Sequence, residues 1–231
     1  MTQNGGCTLF GESLWISPYV FSTFVALQEK GIPFDVVEVA LDKAVHLEPA
    51  YRDASVTARV PSIDHGGFRL AESSAIAEYL DEVFPAPTYR RVLPEGVRER
   101  ARARQLMAWL RSDLAALRAD RSTVTMFYRF RLPPLTADGE RDVRKLVRVA
   151  EQVIPQRPGP LFGTWCLVDS ELAFMLHRLI LNGHELPERV RAYADNEWQR
   201  PSVRAFATHP RPARVPSGYW AVSGTPELDP M

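Results

Sequence analysis

The stretch from Arg59 to Phe84 reads RVPSIDHGGFRLAESSAIAEYLDEVF and decides the fold of the first part of the chain. A Val-Pro step opens a short apolar run, and the Gly66-Gly67 pair then reverses the chain into a second run. Behind it, apolar residues recur at helical spacing: Ile76, Tyr79, Leu80, Val83 and Phe84. We therefore predict two strands joined by a tight turn and followed by a helix that begins at Glu72-Ser73-Ser74. The N-terminus of such a helix offers free backbone N–H groups that can hold an anion.

The residues upstream of this stretch predict a parallel β-α-β unit. Residues 7–12, CTLFGE, form a short apolar strand, and residues 34–41 form a β-rich run. Between them, Pro18 to Lys30 has helical spacing, with Ser17 as its N-cap and Gly31 as its stop. Residues 42–58 are polar and are predicted to be irregular. The order β-α-β-loop-β-β-α describes a small α/β domain.

Strand signals end at the Pro-rich segment FPAP, residues 84–87. The rest predicts an all-helical domain, with a buried helix at 169–181 because that segment is apolar throughout. The segment 121–131 is placed in or near a helix. Further helices are predicted at 98–119, 137–154, 188–198 and 202–207. We divide the chain into an N-terminal domain (1–85), a linker (86–93), a helical domain (94–209) and a loosely ordered C-terminal tail (210–231).

Composition excludes several classes of function. The 231 residues carry 28 Lys+Arg and 28 Asp+Glu, so the net charge is zero and gives no support for binding nucleic acid or a membrane surface. No apolar run has the length of a membrane span, and the N-terminus has no signal-peptide pattern. Cys7 and Cys166 lie far apart and show no metal-ligand spacing, so we expect no metal and a cytoplasmic location.

Four short motifs occur in a fixed order along the chain: Trp15-Ile16-Ser17-Pro18-Tyr19, Arg59-Val60-Pro61, Glu72-Ser73-Ser74-Ala75-Ile76 and the segment Leu161 to Asp169, LFGTWCLVD. In this order and spacing, the chain resembles the cytosolic glutathione S-transferases over about residues 7–209. The WxSPY form is similar to that of bacterial serine-type members. The resemblance implies a thioredoxin-like α/β domain followed by a helical bundle, with glutathione as co-substrate.

Ser17 is the catalytic candidate under this resemblance. A free thiol has a pKa near 8.5, and a hydroxyl that donates to the sulfur favours the thiolate. The dipole of the first helix acts in the same direction. Taken alone, Ser17 before Pro18 is an ordinary N-cap. Ser13 and Ser22 are the competing hydroxyls, and neither fits the motif as well.

The resemblance assigns the remaining glutathione contacts. Pro61 is expected to follow a cis bond, so that the N–H and C=O of Val60 pair with the cysteinyl part of glutathione like a strand rung. Glu72 and Ser73 are expected to hold the γ-glutamyl end, the acid facing its ammonium and the hydroxyl its carboxylate. On local sequence alone they are an acidic first turn and a cap.

The glycine end of glutathione has three basic candidates, His46, Lys43 and Arg59, of which we assign His46. The second substrate is expected between the domains, against the long helix. Candidates for this second pocket are Trp15, Tyr19, Trp109 and Asp113.

The motif at 161–169 departs from the family pattern. It places Cys166 where the family's helix-capping segment usually has Ser or Thr, so Asp169 caps the helix alone or together with Thr164. We do not interpret Cys166 as catalytic. Cys7 is not at the Ser17 position, which disfavours a disulfide-exchanging enzyme.

The predicted function is that of a homodimeric glutathione transferase. Its substrates would be glutathione and a small hydrophobic electrophile or an organic peroxide. A glutathione-dependent isomerase or dehalogenase on the same fold is one alternative. A non-catalytic binding module is another, and the retained motifs argue against it.

Overall fold

The computed structural model describes residues 6–215 and 225–226. The first domain holds a four-stranded sheet of order β2-β1-β3-β4. Its strands are β1 (Cys7–Glu12), β2 (Phe34–Val39), β3 (Ser62–His65) and β4 (Phe68–Ala71). Strand β1 is parallel to β2 and antiparallel to β3, and β3 is antiparallel to β4. With helices α1 (Pro18–Lys30) and α3 (Ser73–Val83), this is the predicted thioredoxin-like arrangement.

The segment predicted to be irregular, residues 42–58, contains a helix. Two single 3-10 turns, Leu41–Lys43 and Val45–Leu47, lead into helix α2, Pro49–Ser55. The prediction that this segment is irregular was therefore wrong. Helix α2 was missed because seven residues are too few to show a helical period in the sequence. Tyr51 of α2 is buried, and its side chain packs the helix against the rest of the domain.

The second domain is helical, as predicted. Its helices are α4 (Val97–Ser112), α5 (Ala115–Asp120), α6 (Val124–Phe127), α7 (Ala137–Val153), α8 (Leu167–Ile180), α9 (Glu188–Trp198) and α10 (Pro201–Ala207). A two-residue ladder joins β5 (Phe130–Arg131) to β6 (Thr225–Pro226). Within the described chain, no helix is both long and apolar enough to cross a membrane.

The long helix predicted at 98–119 is two helices, so this prediction was wrong. The break falls at Leu114, whose φ of 61° is left-handed although the residue is not glycine. Its side chain is fully buried, and its N–H donates to the Asp113 carboxylate at 2.7 Å. Burial of the leucine offsets the backbone cost of roughly 1–2 kcal/mol. Neither Gly nor Pro marks this break in the sequence.

Helix α8 begins at the segment that departs from the family pattern. Cys166 is the N-cap, and its N–H donates to Asp169 at 2.9 Å while its thiol donates to the same carboxylate at 3.4 Å. The carboxylate also accepts from Leu161 N at 2.8 Å and from the Tyr193 hydroxyl at 2.8 Å. Thr164 is exposed and takes no part.

One hydrophobic core runs through both domains. The rings of Phe21 in α1, Phe174 in α8 and Phe206 in α10 lie within 4.5 to 6.4 Å of one another. The connection between the domains is held by Asp81, whose carboxylate binds Lys30 at 2.8 Å and accepts from the N–H of Val92. On this basis we propose the domain division derived from the sequence. Most of the predicted tail lies outside the described residues.

Candidate functional site

A cavity of about 690 Å³ lies where the first domain faces α4. This volume is within the range of roughly 300–1,000 Å³ that is usual for small-molecule sites. Six of the residues predicted for glutathione line it together: Ser17, His46, Val60, Pro61, Glu72 and Ser73. Tyr19, predicted for the second substrate, lines it as well. The fold thus brings together motifs that are about 40 to 55 residues apart in the chain.

Ser17 is the N-cap of α1, and its hydroxyl oxygen accepts from Tyr19 N and Val20 N, both at 3.3 Å. A serine hydroxyl has one hydrogen to donate in addition to its acceptor lone pairs. The two backbone bonds use the lone pairs, so the hydrogen stays available to a group in the cavity. The helix N-terminus adds a field that favours a negative charge there.

The loop that carries Ser17 is held by a buried carboxylate at the end of β1. Glu12 accepts from Leu14 N at 2.7 Å, Ile16 N at 2.5 Å and Ser17 N at 2.8 Å. Burial raises the pKa of Glu12, although the three N–H donors lower it. Trp15 in the same loop has a left-handed φ of 54°. Glu12 was not among the residues predicted from the sequence, although an acid that directly follows an apolar strand is a signal for it.

The Val60–Pro61 peptide bond is cis, as expected. Val60 precedes β3, and within the described chain no hydrogen bond engages its N–H or C=O. Behind it, the Tyr51 hydroxyl donates to the carbonyl of Arg59 at 2.9 Å and lies 3.1 Å from Ser62 Oγ. Helix α2, missed in the sequence, therefore supports the segment that presents Val60 to the cavity.

Glu72 and Ser73 open helix α3 at the edge of the cavity. Glu72 is exposed and has a left-handed φ of 71°, a strained conformation of the kind that is concentrated at functional sites. Ser73 is buried and is the first residue of α3, so its N–H belongs to the free group of donors at the helix start. The pair therefore offers a carboxylate and an anion-binding helix end side by side.

Arg111 reaches Ser73 from the second domain, and the sequence analysis did not select it. Its guanidinium donates to Ser73 Oγ at 3.0 Å and forms a two-bond pair with Glu171 of α8 at 2.6 and 2.8 Å. Arg111 follows buried Met107 by four residues and buried Ala103 by eight. The sequence signal that could have identified Arg111 is a charged residue on the apolar face of a helix.

His46 lies at the opposite side of the cavity, in the turn Val45–Leu47. Its Nδ1 is buried and has no hydrogen-bond partner among the described residues. A buried ring nitrogen without a partner is costly, so a ligand group would satisfy it. Of the two other basic candidates, Arg59 also lines the cavity and Lys43 does not.

Trp15 does not line this cavity. The left-handed turn at this residue sends its ring to the far side of the loop, where it stacks on His209 with 3.6 Å between ring centroids. Its Nε1 donates to Glu38 at 3.0 Å. The expected contact of Trp15 with a second substrate is therefore not supported.

Trp109 and Asp113 are also placed away from the cavity. Trp109 Nε1 donates to the Asp113 carboxylate at 2.9 Å, and the same carboxylate pairs with Lys145 of α7 at 2.5 Å. The hydrogen bond from Lys145 lowers the pKa of Asp113. Trp109 and Asp113 therefore have a structural role, since they join α4 to α7. Of the four residues predicted for the second pocket, Tyr19 alone is among those that line the cavity.

The cysteines offer no nucleophile to this site. Both are free and buried. Burial raises the pKa of Cys7 to about 11 and raises that of Cys166 further, so both stay as thiols near neutral pH. The described parts of the chain hold no group of three or more His, Cys, Asp or Glu side chains able to bind a metal ion.

Two family models match the chain in consecutive segments. Residues 16–83 match the N-terminal domain of glutathione S-transferases, and residues 96–210 match their C-terminal domain. The first segment contains Ser17, Val60, Pro61, Glu72 and Ser73.

Individual relatives agree with these matches. A solved glutathione transferase homologue from Burkholderia gl BGR1, with bound glutathione, is 37% identical; the match covers 87% of this chain and 95% of that one, with a TM-score of 0.71. Maleylpyruvate isomerase from Ralstonia sp is 33% identical over 44% of this chain and 47% of that protein. Human glutathione S-transferase theta-1 is 32% identical over 40% of this chain and 38% of that protein. The chain thus matches less than half the length of these two curated relatives. Together the two domain models and the Burkholderia structure place the chain in the glutathione S-transferase family.

Proposed function

We propose that this protein is a serine-type glutathione transferase. It would bind glutathione in the cavity between the domains, stabilise its thiolate, and direct the sulfur at a small electrophile or an organic peroxide. The observation that carries the proposal is the convergence of Ser17, Val60 and Ser73 on one cavity, each with an unused hydrogen-bonding group.

Each end of the tripeptide has a matching group in the cavity. The γ-glutamyl carboxylate would face the Ser73 N–H and the Arg111 guanidinium, and its ammonium would face Glu72. The cysteinyl backbone would pair with the N–H and C=O of Val60. His46, whose Nδ1 has no partner in the described chain, would bind the glycine carboxylate. These contacts would bring the sulfur near the start of α1.

Ser17 would then lower the pKa of the bound thiol. Lowering a pKa by one corresponds to roughly 1.4 kcal/mol, about what one charge-assisted hydrogen bond supplies. The Ser17 hydrogen would point at the sulfur because the backbone N–H groups of α1 occupy its oxygen. The thiolate then attacks, and Ser17 forms no covalent bond.

Ser17→Ala is expected to reduce kcat/KM for conjugation of 1-chloro-2,4-dinitrobenzene by about 10- to 100-fold near pH 7. The mutant should still be retained on immobilised glutathione, because the binding contacts remain. The absorbance of bound thiolate, measured against pH, should titrate at higher pH than in the wild type. Capping of α1 also weakens, so the mutant loses about 1 kcal/mol of folding stability.

Ser13→Ala is the matched control, because Ser13 lies in the same loop and is absent from the cavity lining. It should leave activity and the thiolate titration unchanged. A wild type that neither binds glutathione nor conjugates the electrophile would overturn the proposed function. A Ser17→Ala enzyme as active as the wild type would overturn only the role of Ser17.

Tyr51→Phe should raise KM for glutathione about threefold to fivefold and leave kcat nearly unchanged. The substitution removes the hydroxyl that holds the Arg59 carbonyl, at a cost of about 1 kcal/mol of stability, and keeps the ring. Tyr128→Phe makes the same chemical change at a buried hydroxyl that has no partner among the described residues. That control should leave KM unchanged and should not lower stability, because the hydroxyl it removes is unpaired in the described chain. An equal rise in KM in both variants would contradict the support assigned to Tyr51.

A glutathione-dependent isomerase is the second candidate. It is favoured by the relative named maleylpyruvate isomerase, which matches 44% of this chain. Conjugation and isomerisation use the same bound thiolate and differ in the second substrate. The assay above, with a cis-trans isomerisation substrate added, distinguishes the two.

We further propose a two-fold homodimer in the cytoplasm. Exposed apolar side chains, among them Phe68 at 51% and Val97 at 82% exposure, would be covered by a second copy. Two free buried cysteines accord with a reducing compartment. Light scattering of the purified protein tests the dimer, and a mass of 26.1 kDa would contradict it.

A further inference from the structure

A small side cavity of about 30 Å³ extends the glutathione cavity into the second domain. It lies between α1, α4, α5 and α8, and it shares Tyr19 and Arg111 with the large cavity. A single water needs roughly 10–15 Å³ measured in this way. The side cavity therefore has room for about two waters or one carboxylate group, and it adjoins the large cavity through Tyr19 and Arg111, which line both.

The first two charged residues of this side cavity, Arg111 and Glu171, form an ion pair whose charges cancel. Arg111 donates to both oxygens of Glu171, at 2.8 and 2.6 Å. Glu171 also accepts from the Ser22 hydroxyl at 2.5 Å. The positive and negative charges cancel, and both carboxylate oxygens are engaged.

Arg118 adds a positive charge that forms no ion pair with a described residue. It lines the side cavity and donates only to main-chain oxygens, those of Asp113 at 3.0 Å and of Leu110. Among the described residues, no carboxylate lies within ion-pair distance of its guanidinium. Burial lowers its pKa, and the charge of Arg111 acts in the same direction, whereas the charges of Asp113 and Asp142, which form no ion pair with it, raise it.

Arg178 brings a second buried charge close behind this wall, although it does not line the side cavity itself. On α8, Glu171, Phe174 and Met175 line the side cavity, and Arg178 follows them at helical spacing, i+7 from Glu171. It is 3% exposed, and its Nε is buried without a partner in the described chain. Its Nη1 donates to the carbonyl of Arg121 at 2.5 Å. Burial and the nearby charge of Arg118 lower its pKa to about 9, so it is still charged at pH 7.

A protein that buries charge normally pairs it, because an unpaired buried charge is unfavourable. Here Arg118 lines a carboxylate-sized cavity, Arg178 lies behind it, and neither has an acidic side chain within ion-pair distance among the described residues. Arginine is suited to this place, since its planar fork matches a carboxylate and its pKa is higher than that of lysine, so burial takes its proton less readily.

We propose that this side cavity receives the carboxylate of the second substrate, so that the enzyme prefers anionic electrophiles to neutral ones. The inference rests on the proposed transferase function. Arg118 is the binding residue in it, Arg178 adds its charge from behind the wall, and neither exchanges a proton. In a substitution of aryl chloride, the thiolate sulfur forms the C–S bond, the C–Cl bond breaks, and chloride leaves with the electron pair. The thiol proton goes to solvent.

The test compares 4-chloro-3,5-dinitrobenzoate with its methyl ester, which share a leaving group and differ in charge. For each probe, kcat/KM is divided by the rate constant of its uncatalysed reaction with glutathione, which removes the difference in intrinsic reactivity. In the wild type, this normalised value should favour the benzoate more than tenfold. Arg118→Met should reduce the preference about tenfold, and Arg118→Lys should retain part of it.

Arg178→Met provides an independent readout. It should also reduce the preference for the benzoate, and it should raise Tm by several degrees, because it removes a buried charge that lacks a partner. A residue with a merely structural role would lower Tm when replaced. Arg98→Met removes the same charge at an exposed position in the first turn of α4, and it should leave both the preference and Tm unchanged.

If both aromatic probes are too large to enter the site, inhibition by acetate tests the proposal instead. At saturating glutathione, acetate should compete with 1-chloro-2,4-dinitrobenzene in the wild type and compete less well in Arg118→Met. Conjugation without a preference for the benzoate, or without acetate competition, would overturn this inference and leave the transferase function intact. Failure to bind glutathione at all would instead overturn the proposed function.

Discussion

Asp169→Ala is expected to lower the free energy of unfolding by about 3–5 kcal/mol, enough to remove most of the stability of an ordinary domain. The carboxylate is fully buried at the start of α8. It accepts from the N–H of Leu161, the N–H of Cys166 and the hydroxyl of Tyr193. Alanine would leave the buried donors of Cys166 and Tyr193 and the half-buried N–H of Leu161 without this partner, and each buried group of this kind costs about 1–3 kcal/mol.

The loss should reach the candidate site although Asp169 does not touch it. Helix α8 carries Glu171, which holds Arg111 against Ser73. Fraying of the first turn of α8 would loosen Glu171, two residues further on. We therefore expect weaker glutathione binding in addition to the lower stability. Urea unfolding followed by circular dichroism measures the first effect, and calorimetric titration with glutathione measures the second.

Asp53→Ala is the matched control, since Asp53 is 63% exposed and pairs only with its neighbour Arg52. Surface pairs contribute about 0–1 kcal/mol, so its unfolding curve should nearly overlay that of the wild type. If Asp169→Ala and this control unfold at the same urea concentration, the capping segment does not stabilise the fold.

Asp169→Asn separates the charge of this residue from its hydrogen bonds. Burial raises the pKa of Asp169, so the folded state binds its proton more tightly than the unfolded state does. The stability contributed by this proton is complete below about pH 4 and is lost as the pH rises through the folded pKa. The asparagine variant lacks this titration. Its stability deficit relative to the wild type should therefore be larger near pH 4 than at pH 7.

The parts of the fold that were predictable from sequence have strong local signals. Helix α1 was bounded correctly because Ser17 and Pro18 cap its start and Gly31 stops it. The Gly66-Gly67 turn gave the β3-β4 hairpin, since both residues have positive φ, which glycine allows without strain. The family motifs then supplied Val60, Glu72 and Ser73, which the structure brings to one cavity.

Other features could not be predicted from the local sequence, because tertiary contacts determine them. The break at Leu114 depends on burial of its side chain in the core, which overrides the helical propensity of the surrounding residues. Arg111 and Glu171 were hidden among many charged residues, and their importance arises only when α4 and α8 face each other. The direction of the Trp15 ring, away from the cavity, could not be predicted because a left-handed φ at a tryptophan has no sequence signal.

Glu12→Ala is expected to impair both folding and chemistry, with a stability loss of about 2–4 kcal/mol and a decrease in kcat/KM of about 10- to 100-fold. Three backbone N–H groups of the loop before α1 donate to this one buried carboxylate. Without it, the strained turn at Trp15 can relax and Ser17 leaves its position over the cavity. The Ser17 hydroxyl would then no longer be aimed at the glutathione sulfur.

The kinetic pattern distinguishes this positioning role from a general loss of structure. The kinetic pKa of the bound thiol, read from the pH dependence of kcat/KM, should rise by about 1 because thiolate stabilisation is lost. KM for glutathione should change less than threefold, since the residues that would bind the tripeptide lie on other segments. A rise in KM with an unchanged pH profile would contradict the role assigned to Glu12.

Two variants test whether the backbone bonds, and not the charge, matter. Glu12→Gln keeps an acceptor oxygen at the same place and should retain most of the activity and of the thiol pKa. Glu38→Ala removes a carboxylate that holds the same loop through the side chain of Trp15. Because Glu38 is exposed and touches none of the loop N–H groups, its removal should cost less than about 1 kcal/mol. The contrast between Glu12 and Glu38 would tie the ionisation of the thiol to the main-chain geometry in front of α1, because in the proposed mechanism Ser17 stabilises the thiolate only while its own N–H is held in place.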